Sequence, residues 1–239
     1  MQSAVALACF PTLLWCLLWA WVRTSGLSLR WLLGGILVGA LLGGPVWLLE
    51  TAVDGLANPG GRLWRDFVQQ VLGAACCEEL LKFLAIALLL WFAKRRRKLT
   101  TRDIVAIAIS VGVGFMTLEN VLAVALSDTP MSIAIDRQLT IIAGHGSYQT
   151  IMGFLLALSA RRSGFGWNIV ALAAPIFLHG WGDLSERLFQ DEPNPGSLED
   201  TLLFGSWIAS VVTTAVVAFG VLWWVRRAES DETLNQPPS

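Results

Sequence analysis

Seven ionisable side chains lie in stretches that are otherwise apolar. Glu78, Glu79 and Lys82 fall in Cys77-Glu78-Glu79-Leu80-Leu81-Lys82, and Glu119, followed by Asn120, ends Phe115-Met116-Thr117-Leu118-Glu119-Asn120. His145 stands between two glycines, and His179 and Asp183 close His179-Gly180-Trp181-Gly182-Asp183. His145 and His179 are the chain's two histidines. Helical spacing puts Glu78 with Lys82, and His179 with Asp183, on common faces, while Glu79 turns about 100° from Glu78. One of the paired glutamates can face a site while the other braces it.

Four carboxylates against one ammonium leave three negative charges, which a low-dielectric interior does not tolerate without protons or a cation. A divalent metal would reduce the excess to one. Neutral imidazole and carboxylate are ordinary zinc ligands, so His145 and His179 with Asp183 or Glu119 form a candidate metal set that leaves a position for water. Glu78 or Glu79 would then be the general base, with the other glutamate paired to Lys82. The His-Glu-x-x-His signature of soluble metalloproteases is absent. Each piece also has a plain structural reading: Glu78 with Lys82 as an intrahelical ion pair, and His145 as a helix-packing residue. Asn120, Thr140, Ser147 and Thr150 read as interhelical glue, and Asp136 with Arg137 as interfacial.

The elements that must position these groups are apolar and long. The chain has 239 residues, 55% hydrophobic and 15% charged, with mean hydropathy +0.61, which points to lipid rather than water as its solvent. A net charge of −1 disfavours a nucleic-acid binder. Cys9, Cys16, Cys76 and Cys77 all sit in apolar runs without metal-type spacing and read as small core hydrophobes. Runs of about 20 apolar residues give seven candidate spans, roughly 3–22, 30–49, 67–93, 103–126, 138–160, 167–189 and 201–225. The fold class expected is all-α, a polytopic bundle of about seven transmembrane helices with a polar active site inside it. Residues 1–228 form the bundle, with the chemistry in about 70–190, and 229–239 form a short polar tail expected to be disordered. The first span lacks a basic leader and a small-residue cleavage site, so it is kept in the fold.

Alternate loops differ in charge. Arg23, Arg30, Lys94 through Lys98, Arg102, Arg161, Arg162, Arg226 and Arg227 fall on one side, against Arg62, Arg65, Arg137 and Arg187 on the other. The positive-inside rule then puts the N-terminus outside and the C-terminus in the cytoplasm, with the Lys94–Lys98 run as topology anchor. Trp15, Trp19, Trp21, Trp47, Trp91, Trp223 and Trp224 sit where interface belts would place them. Counting from the outer end of each span puts Glu78 at roughly 16 Å, Glu119, His145 and Asp183 at about 9 to 12 Å, and His179 at about 15 Å. Antiparallel helices thus bring both histidines and the carboxylates to one layer, as a shared site requires.

The ordered set Glu78-Glu79-x-x-Lys82, Phe115-x-x-x-Glu119-Asn120, Arg137 ahead of His145 with Thr150 after it, and His179-x-x-x-Asp183 resembles the PrsW family of intramembrane proteases. That family is related to the CAAX-processing and bacteriocin-processing membrane proteases. Glu119 stands where that wider group has a histidine, and Lys82 stands in place of an arginine one residue later, which favours the PrsW branch. The resemblance implies cleavage of a membrane-anchored, single-pass substrate of the anti-sigma-factor kind, in a bacterial plasma membrane. It makes Glu78 and Glu79 the catalytic pair, with Glu119, His145, His179 and Asp183 from the other motifs. It leaves open whether zinc or a metal-free, glutamate-activated water does the work.

The expected function is therefore intramembrane endopeptidase, with Glu78, Glu79, Lys82, Glu119 and Asn120 as catalytic residues and His145, His179, Asp183 and Glu119 as metal ligands. Asn120, a histidine or the metal would stabilise the oxyanion. The alternative is a proton- or cation-coupled transporter using the same buried groups, and a scaffold is the third reading.

Overall fold

Continuous apolar runs leave the backbone no partner but itself, and the chain meets that demand with helices alone. The computed structural model describes residues 2–22, 27–57, 60–139, 144–162, 165–191 and 196–234, and among these there is no strand. The helices are α1 Gln2–Ala8, α2 Phe10–Val22, α3 Leu29–Leu41, α4 Gly43–Asp54, α5 Arg62–Phe67, α6 Cys77–Lys94, α7 Thr101–Ala125, α8 Pro130–Leu139, α9 His145–Arg162, α10 Phe165–Gln190 and α11 Leu198–Leu234. A π-helical stretch, Val68–Cys76, joins α5 to α6 immediately before the paired glutamates. Such widened turns concentrate at functional sites.

By length and composition, three stretches among the described residues suffice to cross a membrane: Leu29–Asp54, Thr101–Ala125 and Leu198–Arg227. The charged residues of α6, and the polar residues along α9 and α10, hold those helices below that mark. The fifth expected span shifts: α9 starts only at His145, after the non-helical Gly144, so 138–160 is not one helix, and 140–143, Thr140 among them, lie outside the described residues. The polar tail is also partly corrected. With no glycine or proline between Gly220 and Pro237, α11 continues helical to Leu234, and 235–239 lie outside the described residues.

Helix α7 is the axle. Its Ile107, Ala108 and Val111 are buried against α3, α6 and α9, and the close approach to α3 is made by glycine. A Cβ on Gly114 would lie 1.9 Å from the Ile36 carbonyl oxygen, and one on Gly39 would lie 2.0 Å from that of Val111. Small residues at such crossings let backbones touch where no hydrophobic effect drives helices together. The outward faces are apolar too, with Leu33, Leu37, Leu84, Leu88 and Val216 all exposed, as a lipid-facing surface requires.

Several basic residues gather at one end. Thr100 caps α7 in a reciprocal box with Asp103, Arg97 pairs with Asp103, and Arg102 donates to the Val225 and Arg226 carbonyls of α11. Trp47, Trp91, Trp223 and Trp224 are exposed, in keeping with anchoring. Trp15 is not: it is 1% exposed, because Gly146 leaves room for its ring, and a Cβ there would lie 2.2 Å away. The Trp19 and Trp21 side chains lie outside the description. The four cysteines are half-buried and free rather than true core residues.

Candidate active site

The paired glutamates begin α6, and the 100° between them separates their surroundings. Glu79 is fully buried: Lys82 Nζ lies 3.0 Å from its Oε1, Gln149 Nε2 donates to its Oε2 at 2.6 Å, and His179 Nδ1 lies 3.2 Å from Oε1. Glu78 is 6% exposed and lines a cleft, with Lys82 Nζ at 2.7 Å. Lys82 itself is inaccessible. Its ammonium meets both glutamates, His145 Nδ1 at 2.9 Å and the face of Phe115 at 3.9 Å. Two carboxylates thus share one internal cation, which offsets part of the cost of burying both.

The histidines come from α9 and α10, with ring centroids 5.2 Å apart. Each turns Nδ1 toward the glutamates and Nε2 toward another carboxylate. His145 Nε2 lies 2.6 Å from Glu119 Oε2, and His179 Nε2 lies 3.0 Å from Asp183 Oδ2. With Lys82 on Nδ1 and Glu119 on Nε2, His145 carries its ring proton on the Glu119 side, whereas His179 meets a carboxylate on each nitrogen. Arg137 reaches from α8 to the other oxygen of Glu119 at 2.5 Å. Removing one member therefore leaves charged neighbours unmatched.

The structure brings all the sequence-picked ionisable residues into this network, with places that spacing did not reveal. Glu119 and Asp183 stand on the outer nitrogens of the histidines. Among the described residues, Glu78, Glu79, His145 and His179 form the group whose donor atoms lie within 4.8 Å of one another. Asn120 lies beside the cleft, but its amide donates to the Ala8 carbonyl of α1 at 3.2 Å. Two default assignments change. Arg137 is a site residue rather than an interfacial one, because it clasps Glu119. Thr150 bonds back to the Gly146 carbonyl of its own helix rather than across the bundle. Tyr148 and Gln149 were missed, although both follow His145 at helical spacing, three and four residues on, and so share its face.

Oxygen from two carboxylates and nitrogen from two carboxylate-backed imidazoles suit a zinc-like ion in chemistry and number. The His179 Nδ1 and Glu79 Oε1 pair adds to that fit, since two lone pairs 3.2 Å apart call for a proton or a cation between them. Lys82 already supplies positive charge to Glu78, Glu79 and His145, so a metal would share these groups with the ammonium or displace it.

The cleft holds about 900 Å³ and is bounded by α4, the π-helical stretch, α6, α7, α8, α9, α10 and α11. It runs from Glu78 and the histidines to Ser127, Arg187 and Gln190, at helix ends away from the basic end. Its size is in the range of substrate-binding cavities. No curated protein and no solved structure matches the chain. The family model described as PrsW family intramembrane metalloprotease matches residues 27–194, a stretch that contains every residue of the network just described. Spanning well over half of the chain, that match places the protein in the PrsW family of intramembrane metalloproteases.

Proposed function

We propose that the protein hydrolyses a peptide bond in a single-pass, membrane-anchored substrate, using water activated at Glu78. The observation that carries this is the unequal burial of the two glutamates. Glu78 faces the cleft while Glu79 is held on both oxygens by Lys82, Gln149 and His179. Family membership supports membrane proteolysis as the activity, and the transporter alternative gains no such support.

Glu78 takes a proton from water as the water oxygen bonds to the carbonyl carbon, and returns it to the leaving nitrogen as the C–N bond breaks. Lys82 donates to Glu78 Oε2 and orients that carboxylate for the first transfer. Glu79 fixes Lys82 and His179, and Glu119 and Asp183 fix the tautomers and orientation of the histidines. A metal, when bound, would be held by Glu78, Glu79, His145 and His179 and would supply Lewis acidity toward water and carbonyl. The low-dielectric surroundings strengthen each of these interactions.

The positive-inside rule puts the basic end in the cytoplasm, and the cleft then lies in the outer half of the bilayer. Purified protein in liposomes should cut a single-pass reporter in that outer half, at a position that mass spectrometry reads directly. A strong chelator should abolish cutting and added zinc restore it. Cleavage confined to the cytoplasmic half, or unaltered by chelation of a preparation shown to be metal-free, would overturn the topology or the metal assignment respectively.

A further inference from the structure

Hydrolysis needs a hydrogen-bond donor aimed at the carbonyl oxygen as it becomes an oxyanion, and most donors around the cleft are already committed. Asn120 gives its amide to Ala8, His145 and His179 have both nitrogens engaged, and Arg137 is held by Glu119. Ser210 donates to the Trp207 carbonyl, and Arg187 is spread over Asp66 and Asp191.

Tyr148 differs. It is the chain's single tyrosine, it is 6% exposed, and it lines the cleft. Its ring stacks on His179 with centroids 4.8 Å apart and planes within 19°, and meets the edge of His145 at 6.1 Å. Its hydroxyl has no hydrogen-bond partner among the described residues. Gly182 of α10 passes beside that hydroxyl, where a Cβ would make an ordinary contact at 3.6 Å. The ring is buried while the hydroxyl opens onto the cleft, so what the oxygen bonds to comes from the cleft rather than from the protein. A partner is therefore to be sought in what enters the cleft.

We infer that Tyr148 is a further catalytic residue, whose hydroxyl donates to the substrate carbonyl oxygen and stabilises the oxyanion. The inference rests on the hydrolytic reading of Glu78. Two stacked or edge-on histidines hold the ring in place before substrate arrives, and a preorganised donor is what lowers a barrier in a water-poor site. As a neutral donor it adds no charge to a centre already rich in carboxylates. Removing a donor of this kind typically costs on the order of a hundred- to a thousandfold in rate.

The test compares wild type, Tyr148→Phe and Glu78→Gln in liposomes on one reporter peptide of defined cut site. Tyr148→Phe keeps the stack on His179, so KM and thermal stability should stay near wild type while kcat falls at least tenfold. Because the chain has one tyrosine, fluorotyrosine labelling gives a single fluorine resonance, which should shift when a phosphinic peptide binds wild type. A Tyr148→Phe enzyme with wild-type kcat, beside an inactive Glu78→Gln, overturns the role of Tyr148 and leaves the hydrolytic reading standing. Full cleavage by Glu78→Gln overturns that reading instead. An unmoved fluorine resonance at saturating inhibitor also defeats the inference.

Discussion

The two ends of the bundle handle charge in opposite ways. At the α6–α7 turn, Arg97, Thr100 and Asp103 satisfy one another within a few residues, and Arg102 meets the last carbonyls of the apolar part of α11. At the cleft end, Glu79, Glu119, His145 and His179 come from four different helices, and none is satisfied by its own turn alone. Local satisfaction gives stability that one substitution dents. Distributed satisfaction gives a centre that one substitution unbalances, as expected where buried charge serves chemistry rather than folding.

The sharpest break in that contrast is Lys82→Met. Two carboxylates and His145 lose their common cation, and breaking a buried pair costs about 3 to 5 kcal/mol. Thermal unfolding of the detergent-purified variant should show a large drop in Tm that a divalent metal partly restores. No change in Tm would mean that the cluster is not balanced by this ammonium. Next comes Glu119→Gln, which weakens the grip on His145 Nε2 and strands Arg137. Metal affinity, read by competition with a fluorescent chelator, should fall about 10- to 100-fold. Unchanged affinity would remove Glu119 from its supporting role. Smallest is Thr100→Ala, which removes the α7 cap at the opposite end and should cost about 1 kcal/mol with proteolysis intact. A loss of cleavage there would show that the two ends are not independent.

Much of the site was readable before any coordinates, because charge in apolar helices is costly and therefore informative. Glu78, Glu79, Lys82, Glu119, His145, His179 and Asp183 stand out on that ground, and they do meet. Division of labour among them was not readable. Whether Glu119 faces the centre or backs His145 depends on side-chain direction, which spacing leaves open. Arg137 looked interfacial because it sits late in a short helix, and its reach to Glu119 depends on how α8 folds against α7. Trp15 resembled a belt residue until Gly146, over a hundred positions away, was found to make room for it. Of the fold, helicity was legible from composition. The break ahead of His145 was not, because the apolar run continues through it.

The most direct measurement sets Glu78→Gln against Glu79→Gln, reading cleavage and Tm on the same liposome preparations. Glu78→Gln should keep a near-native Tm and lose cleavage by a thousandfold or more, whereas Glu79→Gln should lose both, since its fully buried carboxylate holds Lys82, Gln149 and His179 together. Wild-type turnover in Glu78→Gln would contradict the assignment of the attacking water to that carboxylate.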